Sequence, residues 1–73
     1  MSMKSKPKQT LKLSPREKQT LELIAAGFVD KEIAAELGIA YGTIRNHVDK
    51  TVLKLGATNR AHAVAIAIRS NII

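Results

Sequence analysis

The stretch YGTIRNHVDKTVLKLG, residues 41–56, decides how the rest of the chain is read. Its apolar Ile44, Val48, Val52 and Leu55 recur at helical spacing, and between them stand Arg45, Asn46, His47, Asp49 and Lys50. With Ile44 at zero and about 100° per residue, the four apolar side chains fall within one quadrant. Gly42, Arg45, Asn46 and Asp49 take the far side, with Lys50 near its edge. The spacing predicts a helix from about Tyr41 to Leu55, stopped at Gly56, with a polar face over its N-terminal half.

What precedes this helix gives the polar face its meaning. Asp30 is expected to cap a short helix over residues 31–37, with Ile33, Ala34 and Leu37 inward. Gly38 breaks it, Ile39 anchors the turn, and only about three residues separate the two helices. A connection this short fits a helix-turn-helix crossing at a steep angle. Ala34 is small enough for close approach, Gly38 can take a positive φ, and Ile44 fills the angle between the helices. In such a unit the exposed start of the second helix has the shape to enter a DNA major groove. Arg offers two donors to guanine O6 and N7, and Asn pairs with adenine N6 and N7. A merely solvated face is the alternative.

On the N-terminal side, Ser14-Pro15-Arg16-Glu17 combines a cap, a first-position proline and a capping-box glutamate. It starts a helix with Leu21, Ile24 and Ala25 as core face, Leu23 beside it, and Gly27 as stop. Beyond Gly56, Asn59 caps a fourth helix over residues 60–70, whose alanines favour helix over strand. The expected fold is all-α, four helices over residues 13–73.

The chain has 73 residues, which bounds it to one small domain. Of its 12 Lys and Arg, four (Lys4, Lys6, Lys8, Lys12) lie in an acid-free basic tail over residues 1–12, expected to be disordered and solubilising, with nucleic-acid contact as the functional alternative. The remaining residues 13–73 carry 8 basic and 6 acidic side chains. There is no cysteine and there are only two histidines, so neither a disulfide framework nor a structural metal is expected. No nucleophile–base pair, carboxylate dyad or phosphate loop is present; an enzyme is not expected, and no cofactor. No apolar run approaches the roughly 20 residues of a membrane span. A cytoplasmic protein is expected.

The segments LSPREKQTLELIAAG, DKEIAAELGI, TIRNHV and KLGATNRAHAV, at their fixed distances, together resemble the LuxR-type (GerE-type) helix-turn-helix domain. The resemblance covers residues 13–73. It implies a DNA-binding transcription regulator, dimeric through the fourth helix on a pseudo-palindromic operator, with RNA polymerase a further candidate partner. By position it implies that Arg45, Asn46 and Asp49 face base edges. Gly42 beside them allows close backbone approach. Lys31, Thr43 and His47 match positions that approach phosphate, and Lys50, Lys54 and Arg60 are weaker phosphate candidates. Arg60 has a structural alternative, holding the fourth helix, and His47 that of a packed neutral histidine. His62 reads as a surface residue.

Several positions depart from the family pattern. Asp49 stands where a basic or small polar residue is common; it can accept from cytosine N4 or pair with Arg45. Gly42 costs about 1 kcal/mol of helix propensity against alanine. Ala40 replaces the customary hydroxyl cap, and Thr20 and Thr51 each bury a hydroxyl that needs a partner. If Ala63, Val64 and Ala67 point inward, Ile66 lies outward with His62 and Arg69 as the dimer contact, and Leu53 also falls outside. Two further functions stay open: a sigma-factor-like promoter-recognition module, and a protein-interaction module using Ile66 and Leu53.

Overall fold

The computed structural model describes residues 13–73; the expected basic tail lies outside the described residues. Four helices follow in order, α1 (Pro15–Ala25), α2 (Asp30–Leu37), α3 (Tyr41–Lys54) and α4 (Arg60–Arg69). No strand occurs among the described residues, and none of their helices is long and apolar enough to cross a membrane.

α3 is the element on which the others assemble. Its Ile44 and Val48 join Ile33 of α2 in one buried cluster, capped by Leu23, Phe28, Leu37 and Ile39. Leu55, just past its end, joins Leu21, Ala63 and Ala67 in a second cluster between α1 and α4. Ile24 and Val52 pack against both, so the two clusters form one continuous core. The alanines of α4 let its backbone come close, which is how a helix so poor in bulk is held.

The turn inside the helix-turn-helix is formed as the sequence suggests. Gly38 sits at φ +66 and ψ 37, the left-handed region that favours glycine. The reversal it makes brings the Ile39 N–H to the Ala34 carbonyl at 3.0 Å. Ile39 is thereby turned into the Ile33–Ile44–Val48 cluster.

At α1 the capping box is complete: the Glu17 N–H donates to Ser14 Oγ at 3.1 Å and the Ser14 N–H to Glu17 Oε1 at 2.9 Å. The inward stripe of α1 differs from expectation. Ala25 is exposed, and the buried positions are Glu17, Thr20 and Leu21. The stripe is displaced because Glu17 turns inward to receive Lys54 Nζ of α3 at 2.7 Å. Both inward threonines satisfy themselves locally: Thr20 Oγ1 donates to the Arg16 carbonyl at 2.8 Å and Thr51 Oγ1 to the His47 carbonyl at 2.7 Å. Each acceptor is four residues back on the same helix.

Two further expectations are corrected. Asp30 is the first residue of α2, not its cap; Val29 is the cap, and the Glu32 carboxylate closes the turn by accepting the Val29 N–H at 2.9 Å. In α4, Ile66 packs against the Leu21–Leu55–Ala63–Ala67 cluster, and the exposed isoleucine is Ile68.

Burial pushes the Glu17 pKa up, but the Lys54 ammonium and the Ser14 N–H outweigh it and hold the carboxyl below the usual carboxylate value. The unfolded chain then binds this proton at higher pH than the folded one. The stabilisation is therefore fully present above about pH 4.3 and lost as pH falls through the folded pKa. The expected signature is a gap in Tm between wild type and Glu17→Gln that is widest near neutrality and narrows below about pH 4. Circular-dichroism melts across that range measure it, and a gap independent of pH would contradict the assignment.

Candidate nucleic-acid interface

The exposed side of α3 follows from its packing. Ile44, Val48 and Thr51 are buried, so the residues about half a turn away must face solvent. Gly42, Thr43, Arg45, Asn46, Asp49 and Lys50 are all exposed, and His47 is half-buried on the flank. Lys31 is exposed in the first turn of α2. Leu53, 80% exposed, prolongs the same side toward the C-terminus as an apolar end. Ala40 supplies no side-chain cap, so no side chain of the described residues takes the amide groups at the start of α3. Tyr41 and Val29, both exposed, flank Lys31 and form the apolar wall of an open cleft with Phe28 and Ile24.

A polar junction lies beside this face, where α2, α3 and α4 meet. Arg60 Nη1 and Nη2 donate to Asp30 Oδ1 and Oδ2 at 2.5 and 3.0 Å, a bidentate pair that ties the start of α4 to the start of α2. Arg45 Nε stands 3.8 Å from the same Oδ2. The Arg60 hydrogen bonds, against the opposing effect of burial, hold the Asp30 carboxyl below its usual range, and the charges of Arg60 and Arg45 add to this. The Arg60 pKa is raised chiefly by its hydrogen bonds to Asp30, with Asp49 contributing at longer range.

This junction bears on several expectations. Arg60 ties α4 to α2 through Asp30, in keeping with its structural alternative. Arg45 pairs with Asp30 and not with Asp49; no ion pair of Asp49 occurs among the described residues. Lys54, a weaker phosphate candidate, pairs its Nζ with Glu17 Oε1 at 2.7 Å and keeps 37% of its side chain exposed. His62 is exposed but not partnerless: its Nδ1 accepts the Thr58 N–H at 3.0 Å, and its own N–H donates to Asn59 Oδ1 at 2.9 Å, completing the cap of α4. Arg69 is exposed at the end of α4. Sequence reasoning missed Asp30 as the hub, because its partners lie 15 and 30 positions away and no local pattern links them.

A helix-turn-helix with a polar, solvent-facing start to its second helix defines a domain of the DNA-binding class. Residues 11–67 match the bacterial regulatory proteins, luxR family, and the chain belongs to this family of DNA-binding transcription regulators. It is 40% identical over 57 residues to the spore germination protein GerE of Bacillus subtilis (strain 168), covering 78% of this chain and 77% of that protein. To the transcriptional regulatory protein DesR of the same organism it is 48% identical over 52 residues, 71% of this chain but 26% of DesR. The solved structure of the transcription factor GerE superposes with a TM-score of 0.79 at 32% identity, covering 81% of this chain and 88% of that one. The response regulator ChrA of a heme-sensing two-component system superposes at 0.83 and 34% identity, over 93% of this chain and 33% of ChrA. The chain thus spans most of GerE but only about a quarter of DesR and a third of ChrA.

Arg60→Ala should expose how much the junction contributes. It leaves the Asp30 carboxylate, 11% exposed, without its bidentate partner. Breaking charge-assisted hydrogen bonds at a partly solvated site costs about 1–2 kcal/mol. Urea unfolding should show a midpoint lowered accordingly, with an unchanged m-value.

Proposed function

We propose that this chain binds double-stranded DNA sequence-specifically by laying the N-terminal half of α3 in the major groove. The observation that carries this reading is the exposure of Arg45, Asn46 and Asp49 on one side of a helix set by a tight turn. Arg45 reads guanine, Asn46 reads adenine, and Asp49 accepts from cytosine N4. Gly42 lets the backbone at the helix start come close to the bases. Lys31, Thr43, His47 and Lys50 approach phosphates, with Tyr41 and Val29 offering an apolar shoulder to the deoxyribose beside Lys31. The protein works in the bacterial cytoplasm, with RNA polymerase a further partner once the operator is bound.

The proposed dimer uses the outward side of α4. Ile66 packs inward, so the apolar contact passes to Ile68, in line with exposed Ala61 and half-buried Ala65 at helical spacing. Arg69 lies at its edge. Two such domains about a two-fold axis read half-sites about one helical turn apart. The second reading, a protein-interaction module, is favoured by a single observation, the 80% exposure of Leu53.

Selection of bound duplexes from a random library at physiological salt tests the proposal. The expected result is a two-fold symmetric motif, in which Arg45→Ala relaxes one position per half-site. A folded protein that enriches no motif rules out specific readout. Gly42→Ala gives a second, opposed signature. Nothing lies within 4 Å of the added Cβ in the free protein. The folded state should therefore gain about 0.5–1 kcal/mol of helix propensity while DNA affinity falls. Chemical denaturation and fluorescence anisotropy on the same preparation measure the two.

A further inference from the structure

We propose that Asp30 is a positioning residue for base recognition: anchored by Arg60, its carboxylate holds the Nε edge of Arg45 and leaves both Nη groups free for a guanine. The inference rests on the reading that Arg45 contacts a base. It goes beyond that reading by placing a determinant of specificity on a residue that itself need touch no DNA.

The geometry supplies the reasons. Both Asp30 oxygens are taken by Arg60, at 2.5 and 3.0 Å, so the carboxylate cannot turn about its own bond without breaking that pair. It is nearly buried, at 11% exposure, whereas Arg45 is 53% exposed and has no other ion pair among the described residues. Asp30 is thus the fixed partner and Arg45 the adjustable one. The approach is through Nε, at 3.8 Å, which leaves the terminal Nη pair that a guanine O6 and N7 require. At 3.8 Å the contact is an ion pair beyond hydrogen-bond range, which biases Arg45 toward this orientation without fixing it, so that less side-chain freedom is lost on binding than by an arginine with no such partner. The charge balance also suits the role. One carboxylate between two guanidinium groups leaves the cluster with a net positive charge, so holding Arg45 does not turn the site against phosphate. Arg60, by locking Asp30, takes part in readout from the far side of the junction.

The test compares affinities for the selected operator and for a copy in which the guanine assigned to Arg45 is replaced. Asp30→Asn keeps the size of the side chain and one oxygen for Arg60, and its folding is checked by circular dichroism. Discrimination between the two duplexes is expected to fall about 3- to 10-fold, with little change for the replaced duplex. In an Arg45→Ala background, Asp30→Asn should leave discrimination unchanged. A uniform loss of affinity with discrimination intact would mean a merely structural Asp30 and overturn the proposal alone. If Arg45→Ala leaves discrimination untouched, the base contact of Arg45 fails and the proposal falls with it. A measurement on the unmodified free protein stands apart from any variant's folding. By NMR relaxation the Nε–H of Arg45 should be more ordered than those of exposed Arg16 and Arg69; equal mobility in all three would overturn the proposal.

Discussion

α3 has to serve two masters with one face. A quadrant of four apolar side chains supplies the helix-turn-helix cluster at its start and the α1–α4 cluster at its end, and everything else in the fold is placed by what meets that quadrant. Because the stripe is narrow, more than half of the helix circumference stays outside, and that leftover surface is the candidate interface. The constraint also explains where the fold places its charged pairs. Glu17–Lys54 pins α1 to the last turn of α3, and Asp30–Arg60 pins α4 to α2. Neither pair lies in the centre of the core. They clamp its two ends, where a chain this small has little apolar area left to bury.

The helix boundaries, the turn and the exposed face were legible in the sequence because each depends on neighbours within about ten residues. Ser14, Pro15 and Glu17 mark one helix start, Asn59 another, and Gly38 the turn, and all of them act through local hydrogen bonds or backbone conformation. Asp30 misled for the same reason. An aspartate ahead of a helix has the local signature of a cap, yet Glu32 three residues on closes that turn, leaving the carboxylate free for α4. Ile66 and Ala25 were misplaced because a helical wheel gives angles between residues but not the direction from which neighbours arrive. On α4 the arriving surface is wide enough to cover Ile66 as well as the alanines, and on α1 it is shifted toward Glu17 by Lys54.

The departures from the family pattern now divide into those the fold absorbs and those it leaves facing outward. Thr20 and Thr51 are absorbed, since each hydroxyl returns to its own helix backbone at no cost to a neighbour. Ala40 is tolerated because the Thr43 N–H still reaches the Ala40 carbonyl at 3.0 Å, a backbone bond that no side chain needs to supply. Gly42 and Asp49 are not absorbed. Both are exposed, neither contributes to the core, and each is unfavourable to the free helix or to a polyanion. Gly42 costs the free helix propensity with no packing in return, and Asp49 acts in the fold only through its long-range charge on Arg60.

Of the eight cations in residues 13–73, Lys54 and Arg60 are hydrogen-bonded to carboxylates and Arg45 lies 3.8 Å from one. Lys31 and Lys50 are then the exposed cations nearest the start of α3 that no ion pair engages among the described residues, and the exposed Asp49 adjoins Lys50 in sequence. Non-specific attachment to DNA scales with the number of phosphates neutralised. A domain with so few free cations at its reading face gains little from backbone contact alone. In the proposed complex, discrimination would therefore come from base edges and from the doubling of contacts that two-fold pairing brings. In the proposed complex the four lysines of residues 1–12, Lys4, Lys6, Lys8 and Lys12, would add an attraction to phosphate that is independent of sequence.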